Sequence, residues 1–346
     1  MNTAFHMAGT RIEPGTQVTL NLPIPKLYTH TPMEMPVHII HGKKEGPRLL
    51  ICAAIHGDEI NGVEIIRRLM LQANLKRIRG TLIAIPVVNI YGVIHHSRYL
   101  PDRRDLNRSF PGSEKGSLAS RLANLLMSEV IANVTHAIDL HTGALHRSNV
   151  PQIRADIDDK QTRDLASAFG VPVIINAKMR NGSLRAAACD CGVPILVYEA
   201  GEALRFDEVC IRAGVRGINN LLVALGMIPA RKHAKAPGKP FVAQSSTWTR
   251  APISGVLLNN TKLGTTVNKG DVMGTVADPF SKTEVEILAT TSGVVIGRTH
   301  LPLVNEGDAV FHIARFTDLS GVTDEVNEFQ DKQLREIDDD ETLTLV

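Results

Sequence analysis

Apolar runs and amphipathic stretches alternate through the middle of the chain. The runs RLLICAAI, TLIAIPVV, HAIDL, VPVIIN and PILVYEA are almost unbroken, and stretches with helical spacing such as INGVEIIRRLMLQA and SLASRLANLLMSEVIANV separate them. Near-continuous apolar strands that alternate with helices are typical of a mostly parallel sheet covered on both faces. The pattern therefore predicts an α/β domain over residues 45–230.

The regions on either side of this domain have different patterns. Residues 1–44 contain short extended pieces, TQVTLNLPI and MPVHII, punctuated by Pro and Gly, which predict an N-terminal β segment. The helical period disappears in GMIPARKHAKAPGKP at residues 226–240, as in a linker, so we expect a boundary near residue 230. The last stretch, residues 331–346, is acidic and poorly patterned, and we expect a frayed tail there.

An internal repeat occupies the region 231–330. SGV is followed by VNKGD over residues 254–271 and by VNEGD over residues 292–308, and each half is strand, turn and strand. Two such halves predict a smaller all-β barrel or sandwich domain. The repeat resembles the two halves of biotinyl and lipoyl carrier domains, with Lys282 near the position of the carrier lysine. We interpret Lys282 as an ordinary turn lysine, because the methionines usual beside a biotinylated lysine are absent.

Composition narrows the class of protein. Lys and Arg total 38 against 36 for Asp and Glu in 346 residues, a net charge of +2, so the chain lacks the basic field of a nucleic-acid binder. No apolar run approaches the ~20 residues that cross a bilayer. The four cysteines lack paired spacing and the N-terminus lacks an apolar signal core. These features predict a cytoplasmic protein with reduced thiols that binds neither nucleic acid nor membrane.

Four polar side chains stand where predicted strands end. His56 and Glu59 follow LLICAAI, His141 closes HAIDLH, and Glu199 closes PILVYE. In an open α/β sheet, ligands gather beyond the carboxyl ends of the strands. We therefore expect these side chains to belong to one site.

His56, Glu59 and His141 form a suitable ligand set for a catalytic metal. Two imidazoles and one carboxylate can hold Zn²⁺ and leave a fourth position for water. His56 and Glu59 are three residues apart on a turn that enters a helix, and Gly57 lets the backbone pass close by. A lone His-x-x-Glu more often caps a helix or makes a surface pair. With His141 at a matching strand end, the sequence predicts one Zn²⁺ per chain.

Glu199 is the candidate general base. The apolar strand that precedes it should leave its carboxylate partly desolvated, which suits that role. A structural salt bridge is the alternative interpretation, and Glu202, three residues further on, is the alternative base.

The segment SRYLPDRRDLNRSFPG, residues 97–112, is rich in arginine and lies after a predicted strand, so it opens at the same edge of the sheet. Arginine makes planar paired hydrogen bonds to carboxylates and can stabilise charge that develops on a carbonyl oxygen. A solvated loop could be equally charged. His95 and His96 adjoin the segment, but consecutive residues rarely bind one ion, and we expect them at the surface.

Four motifs in fixed order, HGDE, DLNRSFPG, DLHTG and YEAGE, resemble the succinylglutamate desuccinylase and aspartoacylase family of zinc hydrolases, which is related in fold to the zinc carboxypeptidases. The resemblance covers about residues 35–225. It implies a zinc-carboxypeptidase-like, mostly parallel mixed sheet with helices on both faces. It also implies that His56, Glu59 and His141 hold zinc and that Glu199 is the general base and then the proton donor.

The resemblance assigns roles in the arginine-rich segment as well. It implies that Arg98 polarises the scissile carbonyl, while Asn107 and Arg108 bind a substrate carboxylate. The stretch LPDRR is longer than in the animal aspartoacylases. Arg103 or Arg104 could therefore take the polarising role.

These features favour a zinc-dependent deacylase that cleaves the amide bond of a small anionic N-acyl amino acid or a related carboxylate. Two alternatives remain open: a carboxypeptidase-type peptidase, and a non-catalytic zinc-binding or carrier protein in which Lys282 is modified. The C-terminal β domain could narrow the catalytic opening or make a homo-oligomer. The sequence does not identify the acyl group or the amine.

Overall fold

The computed structural model describes residues 1–230, 238–280 and 282–344. The helices are α1 (Asn61–Met70), α2 (Ile90–Ile94), α3 (Leu118–Leu125), α4 (Lys160–Phe169), α5 (Leu184–Asp190), α6 (Glu208–Ala224) and α7 (Val322–Thr344). Short 3-10 turns lie at Ala73–Arg77, Leu106–Arg108 and Ile131–Asn133, and a π-helical turn comes directly after α3 at Leu126–Val130.

The N-terminal two thirds of the chain contains the strands β1 (Phe5–Met7), β2 (Thr10–Ile12), β3 (Thr16–Ile24), β4 (Met33–His41), β5 (Lys44–Ala53), β6 (Arg79–Ile85), β7 (His136–Gly143), β8 (Arg147–Ala155), β9 (Val173–Asn176) and β10 (Ile195–Glu202). The remainder contains β11 (Phe241–Ala243), β12 (Ser245–Arg250), β13 (Gly255–Asn259), β14 (Thr266–Val267), β15 (Val272–Ala277), β16 (Glu284–Leu288), β17 (Gly293–Thr299), β18 (Leu303–Val304) and β19 (Ala309–Arg315).

A large mixed sheet forms the centre of the molecule. Strands β10, β7, β5 and β6 are adjacent and parallel, while β4 pairs with β6, and β8 with β10, in antiparallel fashion. The sheet is therefore mixed, as expected, with parallel strands at its centre and antiparallel pairs beside them. The β3–β4 hairpin of the N-terminal segment extends this sheet on one side, whereas β1 and β2 form a separate two-stranded sheet.

Helices cover both faces of the central strands, as predicted. Along β5, Leu50 and Cys52 pack towards α3 and α5, whereas Leu49, Ile51 and Ala53 pack towards α1, α4 and α6. This alternation is the two-residue period of a strand. Every one of these five side chains is buried, which explains the continuous apolar run.

Side-chain caps fix where several helices begin. Helices α3, α4, α5 and α6 each begin after a residue whose side chain accepts a hydrogen bond from a backbone N–H three residues later, and these residues are Ser117, Asp159, Ser183 and Asp207. Such a cap stabilises a helix by about 1 kcal/mol. The cap at Ser183 matters for function because it fixes the start of α5 next to the arginine-rich segment.

The repeat region is all-β, and its two halves exchange strands. The first strand of each half pairs with the short strand of the other: β13 with β18 at Val256↔Leu303, and β14 with β17 at Thr266↔Val294. The unit also continues the large sheet, because β17 pairs with β8. Residues 231–237 of the predicted linker lie outside the described residues, and the boundary near residue 230 stays a prediction. Lys282 is exposed on the turn between β15 and β16.

Helix α7 includes residues 331–344 of the stretch in which the sequence predicted a frayed tail. Val322 and Val326 on its first turns are buried. Phe329 packs against the apolar core between the central sheet and helices α1, α4 and α6. Their spacing of four and three residues is that of one helix face. None of the helices among the described residues is long and apolar enough to span a membrane.

A buried histidine lies where the C-terminal unit meets the central sheet. The rings of His312 on β19 and Trp248 on β12 are stacked, with centroids 4.5 Å apart and planes at 7°. The Arg147 guanidinium lies 5.1 Å from the Trp248 ring. Burial, reinforced by the positive charges of Arg154 and Arg147, lowers the pKa of His312 to about 3. The imidazole is therefore neutral in the folded protein.

We predict that His312 makes the fold sensitive to acid. An unfolded histidine has a pKa near 6.5. As pH falls from about 6.5 to 3, His312 binds a proton in the unfolded chain but not in the folded protein. The difference lowers the unfolding free energy by up to about 1.4 kcal/mol per pH unit. His312→Gln should flatten the fall in unfolding free energy over this range, measured by urea titration with the fluorescence of Trp248, the single tryptophan.

The exposed His95 provides the control. His95→Gln should leave the pH dependence of the unfolding free energy unchanged. Equal slopes for His312→Gln and the unaltered protein would contradict the prediction.

Candidate active site

Three predicted metal ligands converge in the buried turn after β5 and on β7. Glu59 lies between two histidines: its Oε1 is 2.7 Å from Nδ1 of His56, and its Oε2 is 2.7 Å from Nδ1 of His141. One ligand atom from each residue lies within 4.8 Å of the others, and all three side chains are buried. The structure therefore brings together residues that are up to 85 positions apart in the sequence.

The turn that carries His56 needs a glycine. A Cβ atom at Gly57 would lie 1.9 Å from the carbonyl carbon of Gly92, closer than any side chain allows. The backbone of α2 thus packs directly against the turn, which agrees with the close approach expected at Gly57. Ala54, just before the turn, has a positive φ of 53°.

Two further carboxylates hold the outer nitrogens of the histidines. Nε2 of His56 is 3.1 Å from Oδ1 of Asp105, and Nε2 of His141 is 2.7 Å from Oδ2 of Asp139. Metal-binding histidines usually carry such partners, which fix the ring so that the other nitrogen faces the ion. Both Nδ1 atoms accordingly face Glu59.

Sequence reasoning gave neither Asp139 nor Asp105 a role. Asp139 is two residues before His141 on one strand, so the two-residue period could have identified it. Asp105 is 49 residues from His56, and no spacing rule connects them.

The pKa values in the cluster depend on these ion pairs. Burial acts to lower the pKa of His141, but the carboxylates of Asp139 and Glu59 outweigh burial and hold it well above its usual value. The pKa of His56 is raised for the same reason, by Glu59 and Asp105 against burial. Burial would raise the pKa of Glu59, yet the two histidines hold it well below its normal range.

The donor set fits a zinc ion. Two imidazole nitrogens and a carboxylate are ligands that Zn²⁺ accepts, and three protein ligands are usual in catalytic sites. An ion bound through both Nδ1 atoms would displace any proton that they carry. The outer carboxylates would add negative charge around a divalent cation.

Arg98 lies beside this cluster. Its Nη1 donates to Oε1 of Glu59 at 3.1 Å, and its Nε and Nη2 donate to Oδ2 of Asp105 at 3.1 and 3.0 Å. Arg103 and Arg104 are exposed, and Arg104 pairs with Asp102 at 3.9 Å. Of the three arginines considered for the polarising role, Arg98 is thus the one in contact with a predicted zinc ligand.

Asn107 and Arg108 lie in the 3-10 turn that Asp105 begins. Asp105 Oδ1 accepts from the backbone N–H of Asn107 at 2.8 Å. The side-chain Oδ1 of Asn107 accepts from the N–H of Leu184 at 2.9 Å, which ties the turn to the start of α5. Arg108 is exposed, and its charge lies near those of Arg98 and Arg180. The turn therefore adds positive charge at the edge of the site.

Glu199 lies beside His141. The two residues are register partners on the parallel strands β10 and β7, so their side chains are on the same face of the sheet. The Glu199 carboxylate is 20% exposed and accepts hydrogen bonds from Nδ2 of Asn149 at 3.2 Å and from Nη1 of Arg154 at 3.3 and 3.4 Å. Glu199 therefore forms a salt bridge with Arg154, which was the alternative interpretation of this residue.

The Glu199 carboxylate has polar neighbours as well as the apolar strand that precedes it. These neighbours are present because β8 pairs with β10 and presents Arg154 opposite Val197 on the same face. Sequence reasoning missed Arg154, Asn149 and the buried Arg185 on the first turn of α5, whose charge lies near Arg154 and Glu199. Asn149 and Arg154 reach the site through the antiparallel pairing of β8 with β10, which no local motif predicts.

The other candidates are not members of the group formed by His56, Glu59 and His141. His95 and His96 are exposed, as expected. Glu202, the alternative base, is buried and accepts a hydrogen bond from Ser148 Oγ at 3.4 Å.

Comparison with known proteins agrees with the motifs. A family model described as the succinylglutamate desuccinylase/aspartoacylase catalytic domain matches residues 45–225. The family predicted from the four motifs is thereby confirmed.

Relatives and solved structures of similar proteins extend the match beyond that domain. The chain is 27% identical over 301 residues to an N-alpha-acetyl-L-2,4-diaminobutyric acid deacetylase of Halomonas elongata, which covers 83% of this chain and 87% of the relative. A succinylglutamate desuccinylase/aspartoacylase from Rhodobacter sphaeroides superposes with a TM-score of 0.79 at 24% identity, covering 87% of this chain and 96% of that one.

A third similar structure is the product-bound ectoine utilization protein EutE (DoeB) from Ruegeria pomeroyi. Its TM-score is 0.77 at 23% identity, with 87% of this chain and 94% of that chain covered. Matches at this level of identity establish the shared fold.

We predict that the outer carboxylates tune metal affinity. Asp139→Ala should weaken Zn²⁺ binding by about 10- to 100-fold, the usual effect of removing such a partner. His141→Ala should weaken it further, because a ligand is lost. Competition with a chromogenic chelator measures both.

His95→Ala is the control for the metal assay, since His95 is exposed. Its zinc affinity should equal that of the unaltered protein. Undiminished affinity in His141→Ala would exclude this cluster as the zinc site.

Proposed function

The chain belongs to the succinylglutamate desuccinylase/aspartoacylase family, and we propose that it is a zinc-dependent deacylase that hydrolyses the amide bond of a small N-acyl amino acid. The observation that carries the proposal is the buried cluster of His56, Glu59 and His141 with Glu199 on the next strand. A metal site beside an acid/base carboxylate suits attack of water on an amide.

We propose that His56, Glu59 and His141 hold one Zn²⁺, the histidines through Nδ1. The bound ion would supply Lewis-acid chemistry, lowering the pKa of a water molecule to about 7 and polarising the substrate carbonyl. Support comes from the 2.7 Å contacts of both Nδ1 atoms with Glu59 and from the carboxylates on both Nε2 atoms.

Glu199 carries the proton in this scheme. Its carboxylate accepts a proton from the attacking water as the water oxygen forms a bond to the carbonyl carbon. It then donates that proton to the amine nitrogen as the C–N bond breaks, leaving a carboxylic acid and a free amine. The proton of the acid then passes to the amine, so the products at neutral pH are a carboxylate and an ammonium. Support comes from its register next to His141 and from its partial exposure, which leaves room for substrate.

Arg98 stabilises the carbonyl oxygen. Three hydrogen bonds to Glu59 and Asp105 hold its guanidinium in place before substrate arrives. A donor that is already oriented towards developing negative charge accelerates the reaction because it needs no reorganisation. The Arg98 side chain is 25% exposed, so one side remains open to a ligand.

Asn107 and Arg108 bind the substrate carboxylate. The Asn107 oxygen is occupied by Leu184, so its NH₂ group is the part left to donate. Arg108 is exposed near Arg98 and Arg180, and together these charges attract an anion. The proposed substrate is accordingly a small anionic N-acyl amino acid.

The relatives suggest which compounds to test. One is named as a deacetylase of N-alpha-acetyl-2,4-diaminobutyric acid, and another as an ectoine utilization protein. We therefore propose an N-acyl amino acid over a peptide, and leave the acyl group open between acetyl and succinyl.

Several finer features belong to the same proposal. A carboxypeptidase-like centre is supported by the parallel strands β10, β7, β5 and β6. The exchange of strands between the halves of the repeat supports its likeness to biotinyl and lipoyl domains. A cytoplasmic location and a homo-oligomer remain predictions.

We predict that Glu199→Gln keeps its zinc but loses turnover by about 10²- to 10⁴-fold, the usual contribution of a general acid–base group. The measurement is kcat on N-acetyl and N-succinyl amino acids, with zinc content determined on the same samples. Glu202→Gln is the matched comparison. If Glu202→Gln is inactive and Glu199→Gln is fully active, the base is Glu202.

We predict that Arg108→Ala raises KM by about 10- to 100-fold and changes kcat little, because a charged hydrogen bond of this kind acts on ground and transition states alike. Steady-state kinetics on a carboxylate-bearing substrate measures the split. Arg104→Ala, an exposed arginine in the same segment, should leave KM unchanged. An unchanged KM in Arg108→Ala would point to a different anchor.

A further inference from the structure

The C-terminal β unit reaches the active site along one edge. Strand β17 pairs with β8 at Gly297↔Asn149 and Thr299↔Arg147. The backbone N–H of His300 donates to the carbonyl of His146 at 2.7 Å. The unit therefore fixes the segment 146–149, which lies between β7 and the rest of β8.

Two side chains of this segment contact the glutamates of β10. Nδ2 of Asn149 donates to Oε2 of Glu199 at 3.2 Å, and Oγ of Ser148 donates to Oε2 of Glu202 at 3.4 Å. Nε2 of His300, from the C-terminal unit, lies 2.8 Å from the same Ser148 hydroxyl. A single side chain therefore lies between the C-terminal unit and each glutamate: Asn149 for Glu199, and Ser148 for Glu202.

Gly297 has a specific steric role in this contact. A Cβ atom there would lie 2.6 Å from Oδ1 of Asn149 and 3.2 Å from Cβ of His312. The amide oxygen of Asn149 therefore lies directly against the bare backbone of Gly297. Since the oxygen and nitrogen of an amide point in different directions, this contact leaves the nitrogen of Asn149 to face Glu199.

Asn149 constrains the orientation of the Glu199 carboxylate in a way that Arg154 does not. Nη1 of Arg154 is almost equally distant from both oxygens of Glu199, at 3.4 and 3.3 Å, so it attracts the carboxylate without fixing its rotation. Asn149 donates to Oε2, and this contact distinguishes the two oxygens. Proton transfer requires a defined orientation of the accepting oxygen, and small misplacements are costly.

We propose that the C-terminal β unit positions the general base: Gly297 holds the amide of Asn149, and Asn149 fixes the rotation of the Glu199 carboxylate. Asn149 and Gly297 are positioning residues that act through Glu199. The inference rests on the proposed function, because it requires Glu199 to carry the proton. It gives the C-terminal unit a role in turnover that does not depend on covering the opening.

The first test separates kcat from KM. Asn149→Ala should lower kcat by about 10- to 100-fold, with KM within about twofold and an unchanged zinc content. Asn219→Ala is the matched control, because the amide of Asn219 donates to the carbonyl of Val215 within α6. If Asn149→Ala does not fold, Asn149→Ser, whose side chain is too short to reach Glu199, replaces it.

A double-mutant cycle tests the chain of contacts. Gly297→Ala should lower kcat about tenfold in the unaltered protein, because the added Cβ displaces the Asn149 amide. In the Asn149→Ala background that clash no longer exists, so Gly297→Ala should lower kcat less than twofold further. Coupling of this kind is what contacting residues show.

Two results would overturn the inference. One is a full kcat in Asn149→Ala. The other is a double mutant in which the fold losses of kcat from Asn149→Ala and Gly297→Ala multiply, as they do for residues that act independently. Glu199→Gln, assayed alongside, separates the inference from the proposed function. If Glu199→Gln is inactive while Asn149→Ala retains full kcat, only the positioning role falls. If Glu199→Gln retains full turnover, the role of the base falls and the positioning role falls with it.

Discussion

The structure depends on one buried carboxylate. Glu59 is 2% exposed and lies between His56 and His141, each 2.7 Å away. Removing three ionisable groups from water is costly, and such groups persist only when their charges and hydrogen-bonding atoms are matched. Here Asp139 and Asp105 supply the matching contacts on the outer side. The glycine turn after β5 and the segment that carries Asp105 can both be understood as the scaffold of this cluster.

The central sheet and the C-terminal unit contribute different parts of the site. The parallel strands β5, β7 and β10 supply the cluster and Glu199, because their carboxyl ends share one edge. The antiparallel strand β8 supplies Asn149 and Arg154, and it pairs both with β10 and with β17 of the C-terminal unit. Strand β8 therefore connects the repeat domain to the candidate base.

Local patterns in the sequence were enough to predict the buried strands and the polar residues at their ends. Four of these side chains reach one edge of the sheet in the structure, including Glu199 next to His141. Neighbours supplied by distant pairing could not be predicted in this way. Asp105, Asn149 and Arg154 reach the site through loop packing and antiparallel register, which leave no local signature. The continuation of the main sheet into the repeat domain has the same cause. Helix α7 was not predicted because residues 331–346 are acidic and poorly patterned, whereas the buried Val322 and Val326 come before that stretch.

The most direct test of the central claim is a crystal structure of zinc-loaded protein with data collected at the zinc absorption edge. The account predicts one anomalous peak per chain, bound by Nδ1 of His56, Nδ1 of His141 and the Glu59 carboxylate, with Asp105 and Asp139 still on the Nε2 atoms. A peak at another site, or zinc-soaked crystals in which Glu59 still pairs with both histidines and no ion lies between them, would contradict it.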